Sequence, residues 1–185
     1  MSLIRRATLP VTPWPNGAGR KADIISGDGW LIAFAHLDAD APFSDYSGYD
    51  RTITLVEGPG FTLSGPGHPD LRLAMRAMPT QFDGGWPVRC HIEGPCLVLN
   101  CMTDRTRWRH DVAVYAAGDP QPPGHADAVA DLLVVLRGEM RIGDEIAEPL
   151  DAIRIDGGAV AHASHDTLVC RIRVLRQAAS GGQGP

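Results

Sequence analysis

The sequence predicts an all-β protein, and three observations carry that reading. Glycine and proline, 21 and 15 of 185 residues, break the chain roughly every eight to twelve residues, the spacing of short strands. The runs between the breaks are apolar and too short for most helices. One strand–glycine–strand pattern also occurs twice.

The runs are Trp30–Leu37, Arg51–Val56 and Cys96–Met102, followed by Leu132–Arg137, Glu139–Ile142 and Thr167–Val174. Helical periodicity is confined to a brief stretch near Asp127 to Asp131. The repeated pattern is Thr54-Leu-Val-Glu-Gly-Pro-Gly-Phe-Thr-Leu-Ser64 and Val134-Val-Leu-Arg-Gly-Glu-Met-Arg-Ile-Gly143. The copies lie roughly 80 residues apart, about the length of a small β-barrel, which suggests a duplicated barrel. Between them stands a proline- and glycine-rich connector, 116–126. The boundaries read as 1–115 for a first barrel with its N-terminal arm and 127–176 for a second. A low-complexity tail, 177–185, is expected to be disordered.

Composition narrows the function. Hydrophobic residues make up 44% and charged residues 21%, with a net charge of -5, ordinary for a soluble domain. Without a lysine- or arginine-rich run, nucleic acid is not the expected partner. No apolar run nears the roughly 20 residues that span a bilayer. The start shows no apolar signal core, so a cytoplasmic protein is expected, with no membrane partner. Cys90, Cys96, Cys101 and Cys170 form no C-x-x-C pair and read as small buried hydrophobes.

Several motifs, in order, resemble those of the HutD/Ves family. They are Trp14-Pro-Asn16-Gly-Ala-Gly19-Arg20, Pro42-Phe43-Ser44 with Gly48 and Asp50-Arg51, and the strand end Leu55-Val-Glu-Gly58. Gln81-Phe82-Asp83-Gly84 and Leu99-Asn100-Cys-Met102-Thr-Asp-Arg105 follow. The likeness runs from about Trp14 to Arg105 and continues loosely through Asp156-Gly-Gly158 to Leu175. The resemblance implies a bicupin, two cupin-type (RmlC-like jelly-roll) β-barrels in one chain; the repeated strand–glycine–strand pattern leaves room for strands of the N-terminal arm to exchange between them. It also implies an association with bacterial histidine utilisation (urocanate and formylglutamate catabolism), more readily in a sensing or regulatory part than a catalytic one. In the family the tryptophan matching Trp30 is usually followed by an arginine and, two positions on, a serine. Here Leu31 and Ala33 stand there, so a ligand with several carboxylates is less expected.

Metal-dependent cupins hold their ion with a His-x-His pair, a glutamate and a later histidine. None of the seven histidines makes that pair. His162-Ala-Ser-His165 reads as a polar turn, so no metal and no cofactor is expected. There is no G-x-S-x-G elbow, and Gly17-Ala-Gly19 lacks the ending of a phosphate loop. A metal-free isomerase or lyase using Asp45, Asp50 or Glu57 on a small carboxylic acid stays as the alternative.

A binding site for a small polar or anionic metabolite remains, with a homodimer left open. Its candidates are Trp14, Asn16, Phe43, Ser44, Arg51, Asn100, Met102 and Arg105, all in the first barrel. The second barrel's strand, Leu132 to Arg137, shows no comparable polar set. Alternation puts Val98, Asn100 and Met102 on one face and Leu97, Leu99 and Cys101 on the other. Arg51 has two roles open to it: bridging Asp45 or Asp50, which the local acids favour, or orienting an anionic ligand.

Overall fold

The computed structural model describes residues 1–14, 17–116, 119, 127–156, 162–164 and 166–178. The glycine pair at 157–158, His165, most of the connector and the end of the tail (179–185) lie outside the described residues. Chain order begins with β1 (Ser2–Ile4), a 3-10 turn at Arg6–Thr8, β2 (Thr12–Pro13), β3 (Gly19–Gly27) and β4 (Trp30–Leu37). Then come β5 (Ala41–Pro42), β6 (Tyr49–Glu57), β7 (Phe61–Ser64), β8 (Leu71–Leu73) and β9 (Pro79–Asp83). β10 (Arg89–Ile92), β11 (Cys96–Asp104) and β12 (Trp108–Ala116) precede the connector. β13 (Ala128–Arg137), β14 (Met140–Ile142), β15 (Glu145–Ala147), β16 (Ala152–Arg154), β17 (His162–Ala163) and β18 (Leu168–Arg176) complete the fold. No α-helix occurs among the described residues. The helical pattern near Asp127 to Asp131 is overturned: Ala128 to Asp131 are strand, paired with β18.

Four antiparallel sheets form, and their buried residues stack them in layers. A four-stranded sheet (β5-β10-β7-β8) packs on a six-stranded one (β2-β3-β4-β11-β6-β9) through Phe61, Leu63 and Cys90 against Leu37, Ile53 and Val98. The six-stranded sheet backs onto a five-stranded one (β1-β16-β13-β18-β12) through Phe34, Leu99 and Cys101 against Leu132, Cys170 and Ile172. The five-stranded sheet's other face covers a three-stranded one (β15-β14-β17) through Leu133, Val135 and Val169 against Met140 and Ala147. The two middle sheets are therefore covered on both faces. That explains why β11 and β18 are buried along nearly their whole length rather than on one face alone.

The repeated glycines do the same work in each half. Gly58 (φ 104°) turns the chain out of β6, and a side chain there would press on the Pro95 carbonyl at 2.5 Å. Gly138 (φ 78°) turns it out of β13, where a side chain would meet Thr167 Oγ1 at 2.7 Å. Only glycine takes that backbone in so little room. The N-terminal arm crosses between the halves: β1 pairs with β16, and β2 pairs with β3. Asp151 pins the arm, accepting from the Arg6 amide at 2.8 Å and pairing with Arg5 at 2.9 Å. All four cysteines are free and buried, and burial pushes the Cys90 and Cys170 thiols up to about 12.

His110 ties β12 to the six-stranded sheet. Its Nε2 meets Thr52 Oγ1 at 2.8 Å and its Nδ1 meets Thr103 Oγ1 at 2.7 Å. Desolvation holds its pKa below the ordinary 6.5, and desolvation does the same to His36. The unfolded chain thus takes up these protons at a higher pH than the folded one. The stability is fully present above pH 6.5 and is lost as pH falls below it towards the folded values. Melting temperature measured from pH 8 to pH 5 should fall on the acid side, and His110→Gln should flatten that fall. An unchanged slope in the variant would remove His110 from this role.

Candidate functional site

The inner face of the six-stranded sheet is laid out in cross-strand rows. Leu31, Met102 and Arg51 form one row across β4, β11 and β6, and Ala33, Asn100 and Ile53 form the next. Opposed residues of antiparallel strands project to the same side, so these side chains share one concave surface. The segment between β5 and β6 closes one wall, held where the Phe43 amide donates to Val88 O (2.9 Å) and the Tyr46 amide to Gly84 O (3.0 Å). Trp14 closes another, its amide donating to Gly19 O at 2.8 Å. The cavity measures about 480 Å³.

The structure brings Trp14, Phe43, Ser44, Arg51, Asn100 and Met102 to this one cavity. It does not bring Arg105, whose Nη2 pairs with Asp50 (3.1 Å) and Asp83 (2.9 Å) and donates to Tyr49 O (2.9 Å). Arg105 is a clamp between β9 and the start of β6, outside the cavity lining. Asn16 lies outside the described residues. Leu31, Lys21 and Tyr46 also line the cavity and were not among the sequence candidates. Tyr46 sits within the aromatic turn that precedes Arg51. Phe82 reaches Arg51 only because β9 pairs with β6 at that register, which nothing local in the sequence reveals.

Arg51 is 8% exposed. Its guanidinium carbon lies 5.0 Å from the ring centres of Phe43 and Phe82 and 5.4 Å from that of Tyr46. Nη2 donates to Asn100 Oδ1 at a long 3.4 Å, and Nε is buried with no acceptor. Among the described residues no carboxylate comes within ion-pairing distance. The bridge to Asp45 or Asp50 is therefore overturned. Asp45 Oδ1 accepts from the amide and hydroxyl of Ser47 at 2.8 and 2.7 Å, while Asp50 serves Arg105. Burial lowers the Arg51 pKa to about 10, with Tyr46 opposing the shift, so the group stays cationic at neutral pH. Ring faces attract a cation through their quadrupoles without neutralising it. The site therefore offers a fixed, charged, partly unpaired donor fork beside the amide of Asn100.

The second half holds the corresponding place differently. Setting Gly138 on Gly58 puts Asp131 where Arg51 stands, and the β13–β18 register then puts Arg171 at the place of Asn100 and Arg173 at that of Met102. Arg171 grips Asp131 with two contacts, Nε to Oδ1 at 2.9 Å and Nη2 to Oδ2 at 2.7 Å. Arg173 lies 3.6 Å from Asp111. The expectation that the second half carries no polar set is thus corrected, because its strand begins at Ala128 and includes Asp131. Among the described residues no group of three or more histidine, cysteine, aspartate or glutamate side chains is arranged to hold a metal. His165 and the side chain of His162 are outside them.

An all-β fold of stacked antiparallel sheets around such a cavity is cupin-like. A cupin 2 conserved barrel domain protein from Leptotrichia buccalis superposes with a TM-score of 0.57 at 9% identity, covering 85% of this chain and 88% of that one. The chain belongs to the HutD family, which it matches over residues 6–179. Protein Ves of Cronobacter sakazakii is 32% identical over 148 residues, 76% of this chain and 79% of that protein. An uncharacterised 21.2 kDa protein in the hutC 3' region of Pseudomonas putida is 31% identical over 101 residues. That match spans 51% of this chain and about half, 53%, of the relative. HutD from Pseudomonas fluorescens SBW25, solved in a formate condition, superposes with a TM-score of 0.78 at 24% identity over 95% of this chain and 98% of that one.

An uncompensated buried cation contributes little to folding, so Arg51 and Arg105 should respond oppositely to removal. Replacing a buried charge by an apolar chain of similar length is often neutral or stabilising. Arg51→Met should leave the ligand-free melting temperature unchanged or raise it. Arg105→Met strands two carboxylates and should cost about 1 kcal/mol, roughly 2–4 °C in a chain of this size. An equal drop in both variants would make Arg51 a structural residue.

Proposed function

We propose that this protein binds the carboxylate of a small metabolite on Arg51 and Asn100 and senses it rather than transforming it. The single observation behind this reading is the buried guanidinium with no carboxylate of its own. The second half supports it from within the chain: Asp131 on Arg171 is the contact that Arg51 lacks. Bidentate arginine–carboxylate pairing is the strong form of this interaction.

Sensing is favoured over turnover by what lines the cavity. Its described lining holds no carboxylate, histidine or cysteine. The titratable groups besides Arg51 are Tyr46 and Lys21, and Lys21 Nζ is tied to Asp23 at 2.8 Å. An isomerase or lyase needs a base within hydrogen-bond reach of the proton it moves, and Asp45, Asp50 and Glu57 are not in that lining. Family membership and the hutC-region relative support a link to histidine catabolism. Four free thiols suit a reducing cytoplasm.

In the same reading the two pairs of facing sheets are the two barrels of a bicupin. Its halves meet at the β11–β12 turn rather than at the connector, because β12, expected in the first barrel, pairs with β18, and β1 is exchanged into the second. The shared glycine turns and strand registers support this arrangement.

Thermal-shift and calorimetric titration with histidine, urocanate, formiminoglutamate and formylglutamate test the function. At least one carboxylate should stabilise the protein without being consumed. Arg51→Ala removes a charge-assisted contact worth about 1.5–3 kcal/mol, so its affinity should fall at least tenfold. Turnover of a bound compound would replace the sensor with the enzyme. Affinity indifferent to Arg51 would remove the pocket assignment.

A further inference from the structure

We infer that the ligand carries one carboxylate, no ammonium group and an apolar body, and that Leu31 selects against a second anionic group. This rests on the reading that Arg51 takes a carboxylate, and it follows from the rest of the cavity. Leu31, Leu37, Ile53, Val98 and Met102 line it beyond Arg51 and Asn100, together with Trp14, while the hydroxyls of Thr12, Ser44 and Tyr46 are its remaining neutral polar groups. A polar ligand body lying on that aliphatic stretch would give up its water without hydrogen bonds in return.

Charge excludes two further classes. No carboxylate is present in the described lining, so the ammonium of a free amino acid would enter unpaired beside the Arg51 cation. The remaining cation, Lys21, is half exposed at the β2–β3 rim and already neutralised by Asp23. A second ligand carboxylate would therefore meet Leu31, which shares the cross-strand row of Met102 and Arg51. That row places Leu31 two strands from Arg51, roughly 10 Å away at the backbone. The distance suits the far end of a short ligand, and the side chain there offers no donor.

Calorimetry on the full chain with 3-phenylpropionate, 3-phenylpropionamide, glutarate and phenylalanine tests this. The expected result is that 3-phenylpropionate binds at least tenfold more tightly than glutarate or phenylalanine. Leu31→Arg should raise glutarate affinity at least tenfold. Glutarate or phenylalanine binding as tightly as 3-phenylpropionate in the unaltered protein would overturn the inference while leaving Arg51 as a carboxylate site. Failure of Leu31→Arg to improve glutarate binding, in a variant that melts as the unaltered protein does, would overturn the role of Leu31. The amide binding as well as the acid, or neither acid binding, would instead overturn the underlying reading of Arg51.

Discussion

A guanidinium held by ring faces instead of by a carboxylate is under a particular constraint. It keeps its charge, and it has lost most of its water. For Arg51 the lowering of the pKa to about 10 corresponds to roughly 3 kcal/mol disfavouring the charged form. The three aromatic contacts, about 0.5–2 kcal/mol each, offset between half and all of this. The layered sheets hold the group in that place. β6 and β11, which position Arg51 and Asn100, are buried against a second sheet on their far face through Leu97, Leu99 and Cys101. A strand fixed from behind can present a strained polar group in front.

The strand pairs β6–β11 and β13–β18 fill corresponding positions in opposite ways. In the second, Asp131 and Arg171 satisfy each other inside the sheet, so the polar set closes on itself. In the first, the corresponding residues are a cation and a neutral amide, which cannot neutralise each other. The positions that differ are 51, 100 and 102 against 131, 171 and 173, whereas the glycine turns at Gly58 and Gly138 are the same in both.

Much of the fold was legible because its signals are local. Glycine and proline punctuation marked the strands, and the repeated strand–glycine–strand pattern marked two like turns, β6 to β7 and β13 to β14. Alternation along 96–102 divided β11 into its two faces as the structure does, with Leu97, Leu99 and Cys101 behind and Val98, Asn100 and Met102 in the cavity. The cage around Arg51 was legible only in part. Phe43 and Tyr46 stand close in sequence, but Phe82 arrives through strand register. Asp50 misled because proximity in sequence suggests pairing, whereas adjacent residues of a strand point to opposite faces. Asp45 misled because its carboxylate is consumed within its own turn by Ser47, two residues on. Asp131 looked like part of a helical pattern because its partner, Arg171, lies forty residues away.

The central claim is that Arg51 is charged and incompletely paired until a carboxylate enters. Nitrogen-detected NMR of the arginine guanidinium groups, assigned with Arg51→Lys, observes this contact directly. Titrating in 3-phenylpropionate should shift the Arg51 Nη signals to a saturating limit and leave those of Arg171 in place. Arg51 signals that stay unmoved while calorimetry shows the protein saturated would contradict the claim.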